Sequence, residues 1–368
     1  MAPAYEGHQR HWRPDFLLPT DSKEGFKICE VNARFPFCAV DLAAWMYKAL
    51  DDPEAKPFLQ PAGGFDALYG ALFEIFNPTL PIHLLMARQS SPMYEAFMRY
   101  TEKETGMRPR PLAPEDLRLV PDPASKTGFT LYCANTGSEA RSSEKINGES
   151  LEKIHQVGVQ LFLDESGSLD PRLRQHLALH GVNDIRSSLL VYDKRLLGIM
   201  QQELDDLVTK HHVLTPEQAD ILRNGTVPTI IPGSEELRQL TDSYRQGKIS
   251  KDDYILKPVR GARGAGILFG DELGVSEWES ILDSLQNPQI RGDRSLYVIQ
   301  PLVNQLEEDL FLDEEIGVQR SQRVGTFHVV NGKFRGLGMW RTAVVGQRTC
   351  NMATGAAWKL GSMIQSRE

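Results

Sequence analysis

The chain has 368 residues, with 41 Lys and Arg against 49 Asp and Glu and a formal net charge of −8. A single core stops growing near ~250–300 residues, so this length predicts two or three domains. The acidic balance argues against a nucleic-acid groove or an anionic membrane surface as the main partner.

Three further features favour a cytoplasmic protein. The chain contains no run of about 18 apolar residues, so no membrane span is expected. Its first ten residues lack the apolar core of a signal peptide. Cys29, Cys38, Cys133 and Cys350 form no Cys-x-x-Cys pair, which favours reduced, mostly buried thiols over a zinc site or a disulfide framework.

Two apolar stretches near the N-terminus, residues 12–18 and 26–35, are separated by a polar turn and predict a β-hairpin. Pro14 lacks a ladder donor, so the first strand must be an edge strand or be bulged there. Alternate residues of a strand share a face, so Glu30 and Asn32 project together while Cys29 faces the core.

The hairpin carries a candidate metal site. Arg13 and Asp15 share one face, and a register that pairs Asp15 with Glu30 would bring two carboxylates close to the amide oxygen of Asn32. Such an all-oxygen cluster suits Mg²⁺. The alternative is a solvated strand face with an Arg–Asp ion pair, and the sequence does not fix the register.

Strands and helices alternate between residues 62 and 190. Residues 65–76 and 93–105 have helical spacing, while 81–86 and 129–133 are typical of strands, so we predict an α/β domain with a mainly parallel sheet. Ligands of such sheets bind beyond the carboxyl ends of the strands. The candidate substrate residues are Arg88, Gln89, Ser90, Asn135, Thr136 and Ser138. Arg88 also suits a helix terminus.

The stretch 187–191, Ser-Ser-Leu-Leu-Val, predicts a buried strand that runs into a helix near Asp193. Asp193 suits a helix cap, and Lys194 suits a solvated face. Further on, residues 295–303 predict a strand that enters a Pro-containing hinge. The pair Asn331-Gly332 between two β runs predicts another hairpin.

Residues 253–271 predict a strand, a glycine loop and a second strand. The Gly-x-x-Gly-x-Gly spacing excludes the dinucleotide fingerprint and the P-loop. Glycines let backbone N–H groups approach an anion, while Lys257 and either Arg260 or Arg263 supply cations. A plain hairpin is the alternative.

These motifs together resemble the ATP-grasp superfamily. Arg13-x-Asp15 followed by Glu30-x-Asn32 resembles its metal-binding end. The Asp-Lys motif at Lys194 and the Lys257-Pro strand with its glycine loop resemble its two phosphate-binding lysines. Most members carry the lysine strand first, so this chain resembles the circularly permuted, glutathionylspermidine synthetase-like arrangement.

The resemblance implies a role for each matching residue. Mg²⁺ ligands are Asp15, Glu30 and Asn32, and Arg13 stabilises the reacting acyl phosphate, while Arg341 faces the phosphates or the acceptor. The implied nucleotide-binding residues are Lys194, Lys257, Arg260, Gly261, Ala262, Arg263, Gly264, Gly266, Gln300, Leu302, Glu307 and Glu308. Within this set, Gln300 and Leu302 are the adenine hinge and one of the two glutamates binds ribose; the alternative for these acids is a surface turn.

The implied fold is α/β (α+β), a circularly permuted ATP-grasp module made of residues 1–61 and 191–368, with a Rossmann-like substrate domain inserted at 62–190. The implied function is an ATP- and Mg²⁺-dependent carboxylate–amine ligase that uses an acyl phosphate, acting on small molecules. A small-molecule kinase and a non-catalytic nucleotide-binding protein are the alternatives. The oligomeric state stays open, with a homodimer as one alternative.

Overall fold

The secondary structure mixes helices and sheets along the whole chain. The computed structural model describes residues 11–20, 25–33, 40–54, 56–86, 92–134, 143–161, 163–182, 185–261, 264–287, 296–344, 346–350 and 357–365. Across these ranges, none of the helices is both long and apolar enough to cross a membrane.

Strands and helices follow one another from the N-terminus to the C-terminus. Residues 11–61 form β1 (His11–Leu17), β2 (Lys27–Asn32), α1 (Val40–Leu50) and β3 (Leu59–Pro61). Residues 65–192 form α2 (Phe65–Phe73), β4 (His83–Met86), α3 (Pro92–Thr105), β5 (Arg110–Leu112), β6 (Leu117–Pro121), β7 (Phe129–Ala134), β8 (Glu144–Ile146), β9 (Glu149–Lys153), β10 (Val157–Gln160), α4 (Leu163–Ser168), α5 (Pro171–His180), β11 (Gly181–Val182) and α6 (Ile185–Tyr192). Residues 195–365 form α7 (Arg195–Thr209), α8 (Pro216–Gly225), α9 (Glu235–Arg245), β12 (Tyr254–Pro258), β13 (Leu268–Phe269), α10 (Val275–Leu285), β14 (Tyr297–Pro301), β15 (Glu307–Asp313), β16 (Gly317–Gln322), β17 (Val324–Val330), β18 (Lys333–Leu337), β19 (Trp340–Ala343), β20 (Ala357–Leu360) and β21 (Met363–Gln365).

One sheet joins the two ends of the chain. Its strand order is β2-β1-β17-β19-β20, with β18 also paired to β17. The ring of Phe16 packs in its core, 4.9 Å from Phe26 and 5.1 Å from Trp340 between centroids. Gly325 leaves room for these rings, because a Cβ there would collide with Phe16. The N-terminal strands β1 and β2 therefore belong to a sheet whose other strands come from the C-terminal part of the chain.

The predicted N-terminal hairpin is confirmed. β1 and β2 are antiparallel, and the register pairs Asp15 with Glu30 and Arg13 with Asn32. The register shifts after Asp15, because Phe16 pairs with Ile28. Cys29 is thus the extra residue of a β-bulge, a feature that redirects side chains.

The edge-strand alternative for Pro14 is wrong. β1 lies inside the sheet, between β2 and β17. Its ladder to β17 pairs Trp12 with Val329 and Asp15 with Thr326, and skips Arg13 and Pro14. A gap in this ladder, and not a solvent-exposed edge, therefore accommodates the missing N–H of proline.

The predicted lysine strand is the centre of a second sheet. The order is β13-β12-β14, all antiparallel, so Lys257 on β12 is flanked on both sides. Leu256, Trp278 and Ile299 are fully buried in the core beneath it. α9 begins after Ser234, whose hydroxyl accepts a hydrogen bond from Leu237 N–H as an N-cap, as expected for this sequence.

The region between residues 62 and 190 contains two different sheets. The strands β11-β10-β4-β5 are parallel, as predicted, whereas β6-β7-β9-β8 are antiparallel. The strand predicted at 129–133 forms β7 and belongs to the antiparallel sheet. It therefore does not share a sheet with β4. The prediction that the residues after these two strands follow strands of the same parallel sheet was wrong.

Two other predicted elements differ in type. Residues 187–191 lie within helix α6 and not within a buried strand, and Leu189 and Leu190 are 45% and 61% exposed. A short apolar run does not distinguish a strand from a helix segment. The acidic stretch 307–315 is a turn only at 314–315, because Glu307–Asp313 form β15, which pairs with β16 as a hairpin.

A buried polar network ties the two middle sheets together. His83 Nε2 lies 3.2 Å from Glu152 Oε1, and Arg110 Nη1 donates to Glu152 Oε2 over 2.5 Å. Arg110 Nη2 also donates to Ala134 O (2.7 Å). The hydrogen bond from His83, with the charge of Arg110, keeps the pKa of Glu152 below its usual range. Glu152 therefore holds a strand of one sheet to two strands of the other.

We expect Glu152→Ala to lower the free energy of unfolding by about 1–3 kcal/mol, because it leaves the buried His83 ring and the partly buried Arg110 guanidinium without their hydrogen-bond partner. Glu149 lies on the same strand, pairs with Arg118 and is about half exposed, so it is a matched control. Glu149→Ala should change stability by less than about 1 kcal/mol. Chemical denaturation of both variants measures the difference, and equal losses would contradict this role for Glu152.

Asp41 is a buried carboxyl in the first turn of α1. Both of its oxygens lack a hydrogen-bond partner, and burial raises its pKa from 3.8 to about 6. The unfolded chain therefore releases this proton near pH 4, whereas the folded chain holds it until about pH 6. Stability is consequently lost as pH rises from about 4 to 6.

Asp41→Asn should remove this pH dependence, since the amide does not ionise. The wild type is expected to lose about 3 kcal/mol of stability relative to the variant between pH 4 and 7. Urea denaturation at both pH values measures the change. Asp66→Asn, on the neighbouring helix, is the control and should keep the wild-type slope; an identical slope in Asp41→Asn would be inconsistent with a raised Asp41 pKa.

Candidate active site

A cleft of about 1220 Å³ gathers most of the predicted site residues that the structure describes. They come from the N-terminal hairpin, the turn before α7, the β12 glycine loop, the end of β14, β15 and β19. The predicted residues that line it are Arg13, Asp15, Glu30, Asn32, Lys194, Lys257, Gly261, Gly264, Gln300, Leu302, Glu307 and Arg341.

Other predicted residues lie elsewhere. Arg260, Gly266 and Glu308 do not line the cleft. Arg260 Nε instead donates to Asp193 Oδ2 (3.2 Å), and Glu308 forms an ion pair with Arg323. Eight predicted residues fall outside the described part of the chain, namely Arg88, Gln89, Ser90, Asn135, Thr136, Ser138, Ala262 and Arg263.

The turn at Lys194 is hydrogen-bonded to the start of the glycine loop. Lys194 N–H donates to Val259 O (2.9 Å), and its Nζ donates to Gly261 O (3.1 Å). Asp193 accepts hydrogen bonds from the Arg195 backbone and guanidinium as well as from Arg260. Burial would raise the pKa of Asp193, but Arg195 outweighs it and the pKa lies below its usual range. Asp193 thus positions Lys194 in addition to its predicted place at the helix start.

The two lysines differ in their surroundings. Lys194 Nζ lies 3.9 Å from Glu30 Oε2, a loose ion pair. Lys257 is 8% exposed and lines the cleft, and no other described residue gives it a hydrogen bond or an ion pair. A buried ammonium without a counter-ion is unfavourable in the protein alone and fits an anionic ligand.

Asp15 is the centre of the metal-site candidate. Its Oδ1 accepts from Arg13 Nε (3.0 Å) and Asn32 Nδ2 (3.1 Å), and its Oδ2 accepts from Arg13 Nη2 (3.5 Å) and Arg341 Nη2. Burial would raise the pKa of Asp15, but the charges of Arg13 and Arg341 outweigh it and the pKa lies below its usual range. Asp15 is therefore a carboxylate held between two guanidinium groups.

Cys29 was expected to face the core, away from Glu30. It is buried, yet it lines the cleft, because the bulge turns it toward the site. Its Sγ lies 3.5 Å from Asp15 O, and burial raises its pKa to about 11. The neutral Cys29 thiol thus forms part of the cleft lining. Strict alternation of side chains along the strand did not predict this position.

The predicted hinge residues Gln300 and Leu302 lie at the end of β14, beside β12. Leu302 N–H donates to Asp253 O (2.7 Å), so it belongs to the sheet. Gln300 is buried, and its side chain donates to Thr229 Oγ1 (2.9 Å). Backbone groups alternate along a strand, so Leu302 and Gln300 face β12, whereas Pro301 and Val303, which also line the cleft, face the opposite side.

Several cleft residues were missed in the sequence. Gln160 ends the parallel strand β10, so the carboxyl-end rule predicts its position once that strand is identified. Tyr94 and Tyr192 also line the cleft, and no motif marks them. Arg348 crosses to the glycine-loop side, where its guanidinium lies 3.8 Å from the Phe269 ring centroid and pairs with Asp271 and Glu272.

Known proteins resemble this chain along most of its length. Residues 1–190 match the family described as the AnkG N-terminal domain. The chain is also 42% identical to a protein of Aspergillus thermomutatus named ATP-grasp enzyme ankG. That alignment spans 368 positions and takes in 96% of this chain and 75% of the relative.

Proposed function

The chain belongs to the ATP-grasp superfamily of ligases, and from this premise we propose that it joins a carboxylate to an amine, with cleavage of ATP to ADP and phosphate. One observation carries the proposal. A single cleft contains two lysines, two arginines bound to one aspartate, and three side chains with oxygen donors. This combination of charges suits phosphoryl transfer to a carboxylate.

The phosphates of ATP bind to the lysines. Lys257 supplies a cation that has no counter-ion among the described residues, and Lys194 supplies a second one from a separate element. The glycine loop that follows Lys257 has positive φ at Gly261 (144°), Gly264 (70°) and Gly266 (72°), which lets its backbone approach an anion. Adenine lies against the end of β14, next to the backbone of Pro301 and Val303.

The residues present fit Mg²⁺. Asp15, Glu30 and Asn32 are neighbours on the paired strands β1 and β2 and all line the cleft with hard oxygen donors. These three residues would hold the ion. When bound, Mg²⁺ neutralises charge on the transferring phosphate oxygens.

The reaction has two steps. A carboxylate oxygen of the first substrate attacks the γ-phosphorus, the bond from that phosphorus to the β,γ-bridging oxygen breaks, and ADP leaves. The amine nitrogen then attacks the acyl carbon, a C–N bond forms, and phosphate leaves with one former carboxylate oxygen while the amine proton passes to solvent. Arg13 and Arg341 stabilise the negative charge that develops on these oxygens.

We also propose that residues 1–61 and 191–368 form one circularly permuted ATP-grasp module, into which residues 62–190 insert as the substrate domain. The pairing of β1 with β17 supports this reading, since it puts the metal motif beside the C-terminal strands. Tyr94 and Gln160 support the second part, because both lie between residues 62 and 190 and line the same cleft.

Incubation with Mg²⁺-ATP and pooled small carboxylic acids and amines tests the function. Nucleotides and new masses are recorded together. We expect ADP, phosphate and a product lighter than its two parents by one water. A stable phosphorylated acid without condensation would identify a small-molecule kinase instead, and AMP with pyrophosphate would refute the acyl-phosphate route.

A further inference from the structure

The carboxylate of Asp15 has no lone pair left for a metal in this structure. A carboxylate offers about four acceptor sites on its two oxygens. All four are used, two by Arg13, one by Asn32 and one by Arg341. Direct coordination of a divalent cation therefore requires that one of these donors leave.

Arg341 is the donor that comes from the most distant strand. Arg13 makes two hydrogen bonds to Asp15 from the same strand, and Asn32 belongs to the paired strand β2. Arg341 reaches Asp15 by a single hydrogen bond from β19, on the far side of β17. Its Nε is buried without a hydrogen-bond partner among the described residues, so its guanidinium is incompletely satisfied in this position.

The charges favour an exchange of one cation for another. Asp15 is 7% exposed and lies between two guanidinium groups, and Arg341 also lies close enough to Glu30 to feel its charge. A divalent cation placed between Asp15 and Glu30 would repel Arg341 strongly in this poorly solvated site. Arg341 lines the cleft, so a displaced guanidinium can move into the cleft volume.

We propose that Arg341 takes the place of the metal at Asp15 in the unloaded protein, so that the guanidinium and the divalent cation compete for one carboxylate. This inference rests on the proposed function, since it concerns the same metal site. Metal binding releases Arg341 toward the anions of the cleft. Arg341 is thereby available to the reacting phosphate only after the metal has arrived, which couples metal loading to the charge stabilisation of transfer.

Mn²⁺ titration of the full chain, followed by the electron paramagnetic resonance signal of free Mn²⁺, tests the competition without measuring turnover. The variant Arg341→Met keeps most of the length of the side chain and removes its charge. We expect it to bind Mn²⁺ in the absence of nucleotide more tightly than the wild type by roughly tenfold or more, the scale of one charge-assisted hydrogen bond. Arg341→Lys, which keeps a cation, should stay near the wild-type affinity.

Arg335→Met is the matched control, because Arg335 pairs with Glu74 and does not line the cleft. It should leave Mn²⁺ affinity unchanged. If the wild type binds Mn²⁺ with ADP present but Arg341→Met is no tighter than the wild type without nucleotide, the competition is overturned and the proposed function stands. If the folded wild type binds no Mn²⁺ even with ADP, the metal site of the proposed function fails and this inference fails with it.

Discussion

Replacing Lys257 with Met is expected to weaken ADP binding by about 100-fold or more while raising the melting temperature of the ligand-free protein. Lys257 is a nearly buried ammonium that no described residue pairs with, so removing its charge removes a desolvation cost from the folded state. In the proposed function the same charge attracts the phosphates, and the loss of a charge-assisted contact made by a nearly buried ammonium has a large effect on affinity. Calorimetric titration with ADP and a thermal melt measure both quantities on one sample.

Lys210→Met is a suitable control, since Lys210 is exposed at the end of α7 and pairs with Asp206. It should change neither ADP affinity nor the melting temperature. A higher melting temperature together with weaker ADP binding in Lys257→Met would indicate that Lys257 is retained for binding at a cost to the stability of the fold. Wild-type ADP affinity in Lys257→Met would show that the phosphates bind elsewhere.

Glu30→Gln is expected to lower ATP turnover by at least about 100–1000-fold, the effect typical of removing one preorganised electrostatic contact. Glu30 pairs with Asp15 across the hairpin and lies 3.9 Å from Lys194, so the substitution removes the negative charge of a proposed metal ligand, which is also a counter-ion of the lysine. The fold should persist, because Gln has nearly the same shape and Glu30 is only partly buried. Glu279→Gln, on the exposed side of α10, is the control for an ordinary glutamate change.

Turnover, Mn²⁺ binding and the melting temperature should be measured together for these two variants. Loss of turnover and of Mn²⁺ binding at an unchanged melting temperature would support Glu30 as a ligand. Near-normal turnover in Glu30→Gln would remove the metal-site assignment from the hairpin.

Sequence patterns predicted the hairpin because its residues are all local to it. Arg13, Asp15, Glu30 and Asn32 each follow the two-residue period of a strand, but the sequence left the register of the two strands open. The structure selects the register that pairs Asp15 with Glu30. The Asn331-Gly332 pair also predicted its hairpin, which is confirmed. The two residues have φ of 50° and 72° and connect β17 to β18.

Other features depend on contacts between distant segments. The bulge at Cys29 changes which face its side chain takes, and nothing in the local sequence marks it. The register of β12 and β14 decides which backbone groups near residue 302 face β12, and it sets the hydrogen bond from Leu302 N–H to Asp253 O. Pro14 was expected at an edge or a bulge, but the pairing of β1 with a strand about 310 residues later, which no local rule predicts, placed it inside a sheet.

Apolar runs gave the least reliable predictions. Residues 187–191 have the composition of a buried strand and form part of α6, with two of the leucines exposed. The strand 129–133 was correct in type but lies in an antiparallel sheet, since composition does not specify the partner strand.

The acyl-phosphate route is tested most directly by following a carboxylate oxygen. A carboxylic acid that supports turnover is labelled with ¹⁸O in its carboxylate and incubated with the protein, Mg²⁺-ATP and the amine, and the released phosphate is analysed by mass spectrometry. The proposed reaction predicts ADP and inorganic phosphate that carries one ¹⁸O atom for each amide formed. Unlabelled phosphate, or ¹⁸O found in AMP with unlabelled pyrophosphate, would contradict it.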